Sequence, residues 1–304
     1  VIFFNYLFPL IFFFTFGTVF HAGESVAAVT QVITMSLALG VLGSGLFGAG
    51  IRALQERELN ILRRYKVTPI TPGPLLVASM VTGWIVFMPY ILLMLALAHY
   101  YYHMPWPQHM FSLLVFISIG LIAFRAIGMV IASVANTMQE GTILVQLLYF
   151  PMLFLSGATF PAENFPPSLQ IISNFIPATY YVAGIKGIIK DNQGLNWGYV
   201  GALLLTTLVG FIVGMKLFRW EKEEKIKGSA KLWVAGVLAP FLVLGVYQSL
   251  HRNPRPAARP GPRSARDGGS QPEIATIRPA LRLVLGKTPA SSREPLDQEK
   301  PDAA

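Results

Sequence analysis

Several long stretches of this chain carry no charge at all, and that settles which solvent it can fold in. Val26 to Gly50 and Leu75 to Ala98 each run without a single Asp, Glu, Lys or Arg. A spanning helix needs about 20 predominantly apolar residues, and comparable runs recur at residues 1–20, 110–135, 142–160 and 195–218. A soluble fold of 304 residues could bury a sizeable core, but it could not hide that many unbroken runs. The composition agrees: 53% of residues are hydrophobic and only 13% charged, with a mean hydropathy of +0.53. A soluble domain carries roughly a quarter charged residues. The fold class is therefore an all-α polytopic membrane protein.

The formal net charge of +9 is divided between short loops and a Pro/Arg-rich tail. That distribution suits anionic lipid headgroups and not nucleic acid, so the lipid bilayer is the first expected partner. The sequence has no cysteine, which removes disulfides, thiolate ligands and a Cys nucleophile. The chain opens on an apolar run with no basic segment before it and no small-residue cleavage site after it. Residues 1–20 are therefore read as a span and not as a signal peptide, with a cytosolic N-terminal segment expected to precede them.

The pass along the chain gives six spans, at about 1–20, 26–50, 75–98, 110–135, 142–160 and 195–218. Gly40, Gly43, Ser44, Gly45 and Gly48 cluster late in the second, a density that lets helix backbones approach closely. Tyr100, Tyr101, Tyr102 and Trp106 read as an aromatic belt at a membrane–water interface. His99 and His103 stand at i, i+4 among them, but Pro105 and Pro107 break the helix and no carboxylate is near, so the belt reading is preferred to a metal site. The fifth span is expected to kink at Pro151.

Leu169 to Ile189 is semi-apolar and interrupted by Pro177, Gly184 and Gly187. Were it to cross, the sixth span would reverse and Arg219, Lys222, Lys225, Lys227 and Lys231 would lie outside, against the rule that short basic loops stay in the cytosol. It is expected to dip in or lie along the outer face. The five residues just named and Arg52, Arg57, Arg63, Arg64 and Lys66 then all fall inside, against Lys186 and Lys190 outside. Residues 227–250, holding the apolar run Leu232 to Leu250, are expected to add a seventh span, although five arginines follow directly. Residues 251–304 are rich in Pro, Arg, Ser and Gly and are expected to be disordered.

No Asp or Glu lies in these spans, which closes the carboxylate-relay route of ion-driven carriers. No His–acid cluster falls in the membrane, so hydrolytic or transfer chemistry lacks its parts. Gly286-Lys287-Thr288 resembles the end of a phosphate loop, but the pattern's first glycine would fall on Leu281. Active transport by this chain would need energy from another polypeptide. Arg125 is the intramembrane charge of interest, with two open readings: a functional contact to substrate or lipid, or a side chain snorkelling toward inner headgroups.

The charged stretch Arg52 to Lys66, RALQERELNILRRYK, is the main place where the first 218 residues meet water with specific chemistry. Ile51, Leu54, Ile61, Leu62 and Tyr65 fall near helical spacing, and Arg52–Glu56 is an i, i+4 pair. Thr68-Pro69 and Pro72-Gly73-Pro74 stop the helix. Taken alone, this could be a solvated linker on headgroups.

Two motifs change that balance. ERELNILRRYKVTPITPGPLLVASMVTGWI (Glu56 to Ile85) and PMLFLSGATFPAENFPPSLQIISNFIPATYYVAGIKGI (Pro151 to Ile188) stand in the order and spacing of the permease subunit of type-2 ABC exporters, and residues 1–226 resemble that family. The resemblance implies a six-helix transmembrane domain. In it, Arg52, Glu56, Arg57, Glu58, Arg63, Arg64, Lys66, Thr68 and Pro69 form or end a coupling helix seated in a separate ATPase subunit. Pro151, Ser156, Gly157, Pro161, Pro166, Pro177 and Tyr180 would shape an extracellular re-entrant hairpin that caps the exit. It implies no cofactor in this chain, since ATP and Mg would be bound by the partner ATPase. It also implies pairing as a homodimer or with a sibling permease, and a bacterial-type plasma membrane location. The expected cargo is amphiphilic or lipid-like. A membrane scaffold without transport and a membrane-embedded lipid-modifying enzyme remain the rival readings.

Overall fold

The computed structural model describes residues 6–65, 71–220 and 242–247, and the described residues are helical with no strand among them. Helix α1 (Phe8–Val19) precedes α2 (Val26–Leu42), which continues through a π-helical segment (Gly43–Ile51) into α3 (Arg52–Glu58). A short α4 (Ile61–Tyr65) follows, then α5 (Pro72–Tyr102), α6 (Met110–Val134) and α7 (Met138–Leu155). A single 3-10 turn (Ala162–Asn164), α8 (Pro167–Ser173), α9 (Pro177–Lys190) and α10 (Trp197–Lys216) complete the order. Side-chain caps start three of these helices: Ser25 on α2, Thr137 on α7 and Asn196 on α10 each accept a first-turn N–H.

Among the described residues, five helices are long and apolar enough to cross a membrane: Val26–Glu58, Pro72–Tyr102, Met110–Val134, Met138–Leu155 and Trp197–Lys216. The first expected span is represented by α1, which at 12 residues is shorter than a full crossing. The fifth ends at Leu155 and not at Phe160, because Gly157, at φ +82°, turns the chain. Of the expected seventh span only the helical residues 242–247 are described, and residues 251–304 lie outside the described set.

The largest departure from expectation is the second span. It does not stop near Gly50 but runs on as one 33-residue helix to Glu58, so the charged segment is its continuation. Glycines at 43, 45, 48 and 50 weaken the preference for α geometry within the nine π-helical residues. Close backbone packing on α6 offsets that loss. A Cβ on Gly128 would lie 2.3 Å from the Gly45 carbonyl oxygen, and one on Gly45 would lie 2.6 Å from Phe124 Cβ. No side chain fits in this seam.

Helix α9 is shorter than a full crossing. It has 14 residues and packs against α2, α6, α7 and α10, with Tyr180, Tyr181, Ile185 and Ile188 buried. It sits at the end of the bundle where α2 begins. Helix α3 and the α6–α7 loop sit at the other end. Gly128→Ala is expected to force the seam apart and cost about 1–3 kcal/mol. Gly43→Ala, which meets open space, should stay within about 0.5 kcal/mol. Thermal unfolding of the detergent-solubilised protein compares the two.

Candidate coupling site

The charged continuation of the long helix has two faces with different partners. On the inward face Leu54 is fully buried and Arg57 is only 3% exposed. The Arg57 guanidinium caps the end of α6: Nη1 donates to the Ala132 carbonyl at 3.0 Å and Nη2 to that of Ala135 at 2.6 Å. The last carbonyls of a helix lack intrahelical donors, so a cation there satisfies both hydrogen bonding and the helix dipole. Glu58 completes the grip by accepting from the Met138 N–H at 2.7 Å, at the opposite dipole end where α7 starts.

The same loop receives a second arginine. Arg219, just beyond α10, donates through Nη2 to the Ala135 carbonyl and through Nη1 to Asn136 Oδ1 at 3.1 Å. Glu140 fixes Asn136 in turn, accepting from its backbone N–H at 2.9 Å and its side-chain amide at 3.2 Å. Thus Ala132 to Met138 is a hub that joins α3, α6, α7 and the end of α10. Sequence reasoning placed Arg219 in a basic loop and gave it no role; nothing in the linear pattern brings it beside Arg57.

The outward face of α3 and α4 carries Arg52, Gln55, Leu59, Asn60 and Arg64, all exposed. Arg52 Nε donates to Glu56 Oε1 at 3.0 Å, the i, i+4 pair expected from spacing. Leu59 is 61% exposed at the break between α3 and α4, where Asn60 takes a left-handed φ of 56°. The segment is therefore two short helices and not one, because the chain turns at Leu59–Asn60. Of the remaining expected coupling residues, Arg63 lies in α4 but its side chain is outside the described set, as are Lys66, Thr68 and Pro69.

At the far end of the bundle the expected cap residues fall between the second half of α7 and the start of α9. Pro151 lies inside α7, where the missing N–H leaves the Leu147 carbonyl without its helical donor. Ser156 Oγ accepts from the Ala158 N–H at 3.3 Å, and Pro161 precedes the 3-10 turn. Pro166 precedes α8, Pro177 opens α9, and the Tyr180 hydroxyl donates to the Asn174 carbonyl. Two residues that the sequence reading passed over hold this turn. Gln31 of α2 donates its side-chain amide to the carbonyls of Gly157 (3.3 Å) and Ala158, and Lys186 of α9 donates to that of Gly157 at 2.9 Å. Burial pushes the Lys186 ammonium below its ordinary range, and the nearby Glu163 carboxylate opposes the shift. A signal for Gln31 existed: it is the one amide side chain in the otherwise apolar Val26 to Gly50.

Between the two ends stands Arg125, 5% exposed. Its Nη1 donates to the Ser44 carbonyl at 3.1 Å and hydroxyl at 3.3 Å, and its Nη2 donates to the Ser79 carbonyl at 2.8 Å and hydroxyl at 3.4 Å. The side chain thus bonds backbone and hydroxyl dipoles of two neighbouring helices.

Comparison with known proteins turns on these same helices. Residues 15–216, from α1 to the end of α10, match the model of the ABC-2 family transporter protein family. The chain belongs to the ABC-2 transporter family. It is 26% identical over 198 residues to the inner membrane transport permease YhhJ of Escherichia coli, covering 65% of this chain and 51% of that one. It is 25% identical over 196 residues to the probable multidrug ABC transporter permease YbhR of the same organism, covering 63% and 51%. A shorter match, 31% over 115 residues, is to nodulation protein J of Rhizobium leguminosarum, covering 38% of this chain and 44% of that one. The chain thus spans about half the length of the two permeases. No solved structure matches it.

Within the ABC-2 frame the inward and outward faces of α3 separate by mutation. Arg57→Ala removes two charge-assisted bonds to buried carbonyls and should cost about 2–3 kcal/mol. Arg52→Ala breaks only an exposed i, i+4 pair and should cost about 0.5 kcal/mol or less. Denaturation of the purified variants measures both.

Proposed function

We propose that this chain is the membrane-spanning permease of an ATP-driven exporter, worked by a separate ATPase subunit that docks on the outward face of α3 and α4. The observation that carries the reading is the division of labour on α3. Its inward face is fastened to the hub at Ala132 to Met138, while its outward face offers arginines around an exposed apolar knob, Leu59. A lever needs both an anchored side and a grip. An isolated surface helix lying on headgroups would have no reason to lock Arg57 and Glu58 into the α6–α7 loop. Family membership supports a partner that supplies ATP hydrolysis, with ATP and Mg held there and not in this chain.

In this reading α3 and the hub face the cytosol, consistent with the basic residues concentrated at that end. The turn at Gly157 with α8 and α9 forms the cap at the outer face, re-entering without crossing. Two copies, or this chain and a sibling, would enclose the path in a bacterial-type plasma membrane, and rocking of the halves would open it outward. The spans are rich in Leu, Ile and Phe and poor in charge, which favours an amphiphilic or lipid-like cargo over a small ion. The multidrug name of one relative supports a drug-like cargo.

The docking test targets exposed residues and spares the clamp. Arg52→Glu combined with Leu59→Asp should reduce the ATPase subunit recovered with the tagged chain at least tenfold, with the amount of chain in the membrane unchanged. Undiminished recovery would contradict the docking face.

A further inference from the structure

A nine-residue π-helical run is long for a geometry that is met mostly as single turns. It persists only where its surroundings over-determine it. The glycine seam with α6 supplies one constraint, but a seam of bare backbone resists approach more than it resists rotation. The second constraint is directional. Arg125 reaches from α6 to the Ser44 carbonyl and hydroxyl inside the π segment, and with its other Nη to the Ser79 carbonyl and hydroxyl on α5. The planar fork suits two acceptor sets at once, which a lysine could not span. Gly83 on α5 makes room: a Cβ there would lie 1.9 Å from Arg125 Cζ, so the guanidinium lies flat against bare backbone.

The π segment also lies in a telling place. It is the middle of the helix Val26–Glu58, whose ends grip both ends of α7. Gln31 holds the turn at Gly157–Ala158 just past α7, and Glu58 holds the Met138 N–H at its start. One end of such a helix turns by about 100° relative to the other for each residue by which the register between them changes. A slip of the π segment would therefore pull Arg57 and Glu58 from the hub, or Gln31 from the turn.

We propose that Arg125 is a positioning residue that fixes the register of Gly43–Ile51, so that the two ends of helix 26–58 act on α7 together. The serine carbonyls of Ser44 and Ser79 are its seats and Gly83 is its slot. The use of this lever in transport rests on the function proposed above; the register-fixing itself does not.

The experiment uses the full chain in lipid nanodiscs without any ATPase, so its failure is distinct from a failure of docking. The 304 residues contain no cysteine, which lets cysteines introduced at Gln55 and Gln146 carry spin labels between α3 and α7. Hydrogen exchange is followed in parallel. The wild-type arrangement should give one narrow distance and slow exchange over residues 43–51. Arg125→Met should broaden or shift that distance and speed exchange at 43–51 at least tenfold, with α9 and α10 unchanged. Gly83→Ala, which evicts the guanidinium without removing it, should do the same, and it carries the test should Arg125→Met not reach the membrane. Adding Gly83→Ala to Arg125→Met should have no further effect, since both act through one contact. An unaltered distance and exchange in either single variant overturns the proposal. So does faster exchange spread evenly over all the helices, which would mark Arg125 as general support for the fold.

Discussion

A guanidinium in the middle of an apolar bundle must find its partners among dipoles when no carboxylate is within reach. Arg125 finds them on two helices at once, Ser44 in the π segment and Ser79 in α5. The cost of keeping such a charge away from water is high enough that it dictates its neighbours. The bare backbone at Gly83 and the open hydroxyls of the two serines follow from that requirement. So does the close approach of α2, α5 and α6. Tyr90, whose hydroxyl donates to the Ser36 carbonyl at 2.8 Å, ties α5 to α2 again further along both helices.

From that junction helix 26–58 runs toward both ends of the bundle. At one end the hub at Ala132 to Met138 collects two buried arginines and two carboxylates, which bond to its backbone groups and to the Asn136 side chain. Charges placed on helix ends and loop amides orient those elements. At the other end an amide and an ammonium converge on one strained turn, where Gly157 supplies the positive φ that a side chain would resist. Helix α7 lies between these grips. Helix 26–58 thereby joins α3 by continuous backbone to the Gln31 contact at the Gly157 turn.

Much of this frame is legible in the sequence, and for a plain reason. Hydrocarbon-length apolar runs have few other places to be, so Leu75 to Ala98, Met110 to Ala135 and Leu195 to Phe218 each mark a helix to within a few residues of its ends. The start of α9 was legible too, since Pro177 opens it. What hid was anything set by tertiary contact. Charge at Arg52 reads as the end of a span, yet the helix runs on to Glu58, because backbone packing of glycines against α6 carries it through. Arg57 reads as solvent-facing, since an arginine in a charged run usually is, yet it shares the inward face with Leu54 three residues before. Its acceptors are main-chain carbonyls, which no side-chain pattern reveals. Arg219 hid for the same reason, and so did the carbonyls that Gln31 holds.

The central claim is that helix 26–58 links opposite sides of the membrane, with α3 in the cytosol and the start of α2 outside. Single cysteines at Glu24 and Gln55, probed on intact cells with a membrane-impermeant maleimide, test it directly. The account predicts that the Glu24 position labels at once and the Gln55 position only after the membrane is permeabilised. Labelling of Gln55 in intact cells, or of both positions from the same side, would contradict it.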